Sequence, residues 1–186
     1  MGISLVKGQK VNIGLTKVGV GLGWDPNQSG SGDDYDLDAS AFLLDSRKKL
    51  PNESCFVFYN NQTSPDGAVI SSGDDTTGGS SDGDDETLMV DLSKVNPQVE
   101  EIVFVVSIYE FDVRKQNFGQ VRNSFIRIYN AATNEEICKY ELGEDFSIET
   151  CIEFGRLYRR EGQWRFEAMG IGYNGGLQTV VNKYAS

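Results

Sequence analysis

Histidine is absent from this 186-residue chain. That removes the commonest side-chain ligand for zinc, copper and non-haem iron, and the usual general base of a nucleophilic triad. Cysteine is scarce: Cys55, Cys138 and Cys151 lie far apart with no Cys-x-x-Cys pairing. This argues against a zinc cluster or a disulfide scaffold, and buried, reduced thiols are expected. No apolar run approaches the roughly 18 residues a membrane span requires. The segment Met1 to Gly8 lacks the basic start and long apolar stretch of a secretory signal. A cytoplasmic protein without a transmembrane segment is expected.

Positive charge is missing from two stretches. Neither Asp25 to Asp38 nor Asp66 to Glu86 contains Lys or Arg, yet together they hold twelve of the 28 acidic residues. The other 16 acidic residues face all 17 Lys and Arg, so the net charge of −11 resides in these two Gly/Ser-rich loops. Such a chain is repelled by phosphate backbones, which argues against direct nucleic-acid binding. With 39% hydrophobic and 11% aromatic residues, it has material for one sizeable core, and a single domain over residues 1–186 is expected.

Short branched runs punctuated by Gly and Asn predict strands at Ile3 to Val6, Val11 to Leu15 and Val18 to Leu22. Tyr35 to Leu44 begins in alternation, with Asp34, Asp36, Asp38 and Ser40 on one face and Tyr35, Leu37, Ala39 and Ala41 on the other. Further strands are predicted at Phe56 to Tyr59, Leu88 to Leu92, Ser124 to Tyr129, Ile137 to Leu142, Thr150 to Tyr158 and Trp164 to Ile171. Ile102 to Phe111 is apolar on both faces at first and therefore central in a sheet. Ser64-Pro65-Asp66-Gly67 reads as a turn. Val113 to Val121 is ambiguous, and Leu177, Val180, Val181 and Tyr184 have the spacing of a closing helix over Gly176 to Tyr184. These patterns predict an all-β sandwich of two mainly antiparallel sheets, with metal-binding loops at one end and a short C-terminal helix.

Carboxylates crowded this closely need a counter-charge. Two unit charges 4 Å apart interact by about 4 kcal/mol at an effective dielectric near 20, so several repulsions rival the roughly 5–15 kcal/mol that holds a domain folded. Calcium answers the need, since it takes six to eight oxygens from carboxylates, amide and backbone carbonyls, and water. The first loop offers Asp25, Asp33, Asp34, Asp36 and Asp38. The second offers Asn60, Asp66, the Gly67 carbonyl, Asp74, Asp75, Asp82, Asp84, Asp85 and Glu86. An EF-hand is rejected, because Ala39 stands where its glycine is needed and the flanks alternate like strands. Trp24 reads as core, and Arg156, Arg159, Arg160 and Arg165 as the solvent face of a strand.

The motifs Gly21-Leu22-Gly23-Trp24-Asp25, Asp36-Leu37-Asp38-Ala39-Ser40-Ala41-Phe42, Phe58-Tyr59-Asn60-Asn61, Ser64-Pro65-Asp66-Gly67, Gly83-Asp84-Asp85-Glu86 and Gly172-Tyr173-x-Gly175-Gly176-Leu177 closely resemble the tellurite-resistance TerD family, over nearly the whole chain. The resemblance implies a calcium-binding β-sandwich linked to resistance against tellurite and other stress, working with sister proteins or a membrane-associated complex, peripheral at the inner membrane surface. It implies two ions, one held from Asp25, Asp34, Asp36 and Asp38, its neighbour from Asn60, Asp66, Asp74, Asp75, Asp84 and Glu86. A calcium-bridged adaptor is an extension of this reading. A metal-dependent phosphoryl hydrolase is its rival, disfavoured because the acidic loops contain no Lys or Arg for developing phosphate charge.

Overall fold

The computed structural model describes residues 2–26, 32, 34–71, 84–142 and 148–185. In chain order its strands are β1 (Ile3–Leu5), β2 (Lys10–Ile13), β3 (Lys17–Gly23), β4 (Leu37–Leu44), β5 (Phe56–Val57), β6 (Val69–Ser71), β7 (Glu86–Asp91), β8 (Glu101–Ile108), β9 (Phe125–Asn130), β10 (Glu136–Glu141), β11 (Cys151–Arg160) and β12 (Gln163–Tyr173). The helices are α1 (Phe111–Arg114) and α2 (Leu177–Tyr184).

Two six-stranded sheets form, in the orders β1-β10-β9-β3-β7-β6 and β2-β12-β11-β8-β4-β5. Every pairing is antiparallel except the parallel one between β1 and β10. Alternation decides the faces. In β7, Glu86, Leu88 and Val90 are buried while Thr87, Met89 and Asp91 are partly exposed, the pattern of a strand with one face on a core.

β8 lies between β11 and β4, and all eight of its residues are buried. Its apolar run needs cover on both faces, and α2 supplies part of the outer one. Val180 and Tyr184 of α2 are buried, and the Tyr184 ring packs 5.3 Å from Phe42 of β4, which stacks on Phe56 at 4.5 Å.

The structure departs from the expected boundaries at informative places. β4 starts at Leu37 rather than Tyr35, and the Tyr35 carbonyl accepts from the Trp24 indole. β8 stops at Ile108, just before Glu110 adopts a left-handed conformation at φ 50. The ambiguous stretch after it holds only the one-turn α1 and turns. β6 was not anticipated, because three residues carry too little periodicity. The three cysteines are free and buried, as expected.

Candidate functional site

Both sheets deliver acidic residues to one end of the sandwich. β3 ends at Gly23, next to Trp24 and Asp25, and its Leu22 pairs with Glu86 at the start of β7. β4 of the other sheet starts there too, since the inward-pointing carboxylate of Glu86 accepts a hydrogen bond from the Ala39 backbone N–H through Oε2. β5 reaches only Ala41 and Phe42 along that edge of β4, so Glu86 closes a backbone donor that the short strand leaves uncovered.

Trp24 fastens the two acidic segments. It is core, 5% exposed, but both its donors are used: the backbone N–H on Asp85 Oδ2 at 2.8 Å and the indole on the Tyr35 carbonyl at 3.3 Å. Asp25 accepts from Asn123 Nδ2 at 2.7 Å, which ties the β8–β9 connection to the same end. Asp36 is buried and its carbonyl accepts from Tyr109 N. Past Val57 the chain turns back on itself, with Phe58 and Asn61 bridging each other across a two-residue turn at Tyr59 and Asn60, so the pairing with β4 ends before it reaches Asp38. Asp25, Asp34, Asp36, Asp38, Asp84, Asp85 and Glu86 thus share one pole.

Two cations join them from elsewhere in the sequence. Arg127 of β9 holds Asp84 through two hydrogen bonds, Nε to Oδ1 at 2.8 Å and Nη2 to Oδ2 at 2.9 Å. That carboxylate raises the Arg127 pKa further. Arg114 donates to the Asp34 carbonyl at 3.2 Å and pairs with Glu110 at 3.7 Å. The loops lack basic residues locally, but the fold imports them; no spacing rule links position 84 to 127, so the sequence could not show it. The lack of Lys and Arg in the loops therefore does not leave this pole without cationic groups of the kind phosphoryl transfer uses. Each guanidinium does have a protein acceptor, Arg127 in Asp84 and Arg114 in Glu110 and the Asp34 carbonyl.

Asp66 and Gly67 are not brought to this pole. The Asp91 N–H donates to the Ala68 carbonyl, which puts the Ser64–Gly67 turn at the far end of β7 from Glu86. Five residue steps along β7 separate Glu86 from Asp91, roughly 17 Å at about 3.4 Å each. Asp66 Oδ1 accepts from Ser64 Oγ at 2.6 Å and Ala68 N at 2.9 Å, and Oδ2 accepts from Asn96 N at 2.9 Å. Gly67 sits at φ 72, where a side chain is strained. Their place in the turn accounts for both residues. Asp33, Asp74, Asp75 and Asp82 lie outside the described residues, and among the described ones no three acidic or cysteine side chains gather closely enough to hold an ion.

Similarity to known proteins is extensive. The TerD domain matches residues 1–184. The chain belongs to the TerD family. General stress protein 16U of Bacillus subtilis is 50% identical over 189 residues, covering 99% of this chain and 97% of that one. Tellurium resistance protein TerD of Serratia marcescens is 48% identical, covering 99% and 97%. The crystal structure of a homologue of telluride resistance protein (TerD) from Streptomyces coelicolor A3(2) superposes with a TM-score of 0.70 at 21% identity, covering 90% of this chain and 96% of that one. It shares the TerD fold. No helix among the described residues is long and apolar enough to cross a membrane.

Proposed function

We propose that this TerD-family chain is a calcium-binding stress-response protein, a single domain that acts by metal-dependent binding without catalysis. What carries the reading is the convergence of three acidic segments from two sheets on one pole: Asp25, Asp34 to Asp38, and Asp84 to Glu86. The donors are all oxygens, the chemistry of a hard cation. The residues this reading assigns to calcium are Asp25, Asp34, Asp36, Asp38 and Asn60, together with Asp74, Asp75, Asp84, Asp85 and Glu86. The relatives' names, general stress protein and tellurium resistance protein, support the stress role. On this reading the protein works in the cytoplasm with sister TerD-like chains or a membrane-associated complex, the metal-ordered pole forming the contact.

The test is a thermal melt of EDTA-stripped protein titrated with calcium chloride. Calcium at 100 times its Kd adds about 2.7 kcal/mol, which for a chain of this size raises Tm by roughly 5–10 °C. Magnesium gives a smaller shift, because it holds its waters. An unchanged Tm at millimolar calcium overturns the reading.

A further inference from the structure

Away from the acidic pole, a cavity of about 420 Å³ opens on the outer face of the second sheet. Its cationic lining comes from three places: Arg47, Lys48 and Lys49 in the turn after β4, Arg156 on β11, and Lys183 on α2. Glu101, Glu153 and Glu167 also line it. Two flanking groups pair with this set, Lys10 with Glu167 at 3.8 Å and Asp45 with Arg47 at 2.8 Å. Six cations therefore face four carboxylates, an excess of two positive charges in a chain whose net charge is −11.

Donors remain after the internal pairs are made. Arg156 spends Nε on Glu167 and Nη1 on Glu101, and its Nη2 donates to no described residue. Lys49 Nζ donates to the Lys183 carbonyl at 2.8 Å, and Lys183 Nζ to Glu153 Oε1 at 3.0 Å and the Tyr173 hydroxyl at 2.7 Å. An ammonium has three donors, so two remain on Lys49 and one on Lys183.

Glu153 presents the opposite need. It is fully buried, and its Oε1 accepts from Tyr173, Lys183 and Tyr184. Its Oε2 accepts from no described residue. A buried carboxylate oxygen without a donor is costly and marks a place where a partner is wanted.

We propose that this cavity binds a small phosphate monoester bearing hydroxyl groups. The dianionic phosphate matches the excess of two charges and takes the spare N–H groups of Lys49, Arg156 and Lys183. A ligand hydroxyl donates to Glu153 Oε2. The size suits a compact ligand, since the space equals about fourteen waters at roughly 30 Å³ each. The site needs no metal and stands apart from the acidic pole.

The test is an amide-shift titration of the isotope-labelled full chain in EDTA. The soluble probes are glycerol 3-phosphate, methyl phosphate and sulfate, with co-sedimentation on phosphatidylcholine vesicles doped with phosphatidylinositol phosphate run alongside. Glycerol 3-phosphate gives saturable shifts at Lys49, Arg156 and Lys183. Methyl phosphate, which lacks the hydroxyls and so one hydrogen bond to a charged group, binds at least about tenfold more weakly, and Lys49→Glu weakens both while Tm holds. Co-sedimentation without response to the soluble ester assigns the phosphate to a lipid headgroup instead. No response to either phosphate source at millimolar concentration overturns the proposal, as does sulfate matching glycerol 3-phosphate; the cluster is then only a clamp on α2.

Discussion

Gly21 and Asp84 show how one missing side chain shapes the acidic pole. Asp84 lies flat on β3, and a Cβ on Gly21 would sit 2.2–2.3 Å from its carboxylate atoms. Gly21→Ala therefore drives Asp84 out of the Arg127 fork. The expected cost is about 1–3 kcal/mol, the usual range for overpacking, measured by urea denaturation. Because the damage passes through Asp84, the double variant with Asp84→Asn loses less than the two single losses added together. Additive losses would show that Gly21 acts through other contacts. Thiol chemistry is decided at the same scale. Burial pushes the Cys138 and Cys151 pKa values up to about 12, and the thiolate is the reactive form. Both thiols are expected to resist Ellman's reagent at pH 8 in the folded protein and to react once it is unfolded. The unfolded thiols ionise near pH 9 and the folded ones near 12, so their contribution is intact below pH 9 and is lost as pH rises from there toward 12. A flat stability profile across that window would contradict the burial.

Elements were legible where their own composition decides their burial. β8 reads as central because Ile102 to Val106 is apolar on both faces, and all of it is buried. α2 was legible from the spacing of Leu177, Val180, Val181 and Tyr184, and helix forms from Leu177 to Tyr184. Short strands were harder: β6 has three residues, and the parallel pairing of β1 with β10 joins segments about 135 residues apart by topology alone. Arg156 and Arg159, expected on a solvent face, are partly buried instead. Arg156 is drawn down by Glu101 and Glu167, and Arg159 donates to the carbonyls of Val95, Asn96 and Val99. At the candidate site the Asp and Glu runs were visible, but Arg127, Asn123 and the double donation by Trp24 were not, since each partner lies on a strand or turn remote in sequence. The docking of α2 carries its own prediction. Tyr184→Phe keeps the ring against Phe42 but removes one of three donors to Glu153 Oε1. A hydrogen bond to a charged group contributes about 1.5–3 kcal/mol, and urea denaturation should show a loss in that range. Tyr184→Ala also empties the ring's place and should cost about 3–5 kcal/mol; equal losses from both variants would mean that the ring contributes nothing.

Charge organises the molecule as a whole. β4 starts beside Asp34, Asp36 and Asp38 and ends at the Arg47–Lys49 turn, so negative and positive groups sit at opposite ends of one strand. Eight residues at about 3.4 Å each make that roughly 27 Å, more than three Debye lengths at physiological ionic strength, where the length is about 8 Å. The two ends therefore do not neutralise each other in physiological salt. Each must be balanced locally: the basic end by Glu101, Glu153 and Glu167, the acidic end in part by Arg127 and Arg114. If calcium supplies the rest of the acidic balance, as proposed above, simple salt should partly replace it. Raising sodium chloride from low to about half-molar concentration shortens the Debye length to a few ångströms and weakens repulsion among exposed carboxylates. EDTA-treated protein is then expected to gain about 1–2 kcal/mol, a Tm rise of several degrees, and calcium-loaded protein distinctly less. Parallel melts of the two forms across a salt series make the comparison. The same salt response in both would mean that the acidic pole is already balanced by its own arginines, and the calcium reading would lose its electrostatic basis.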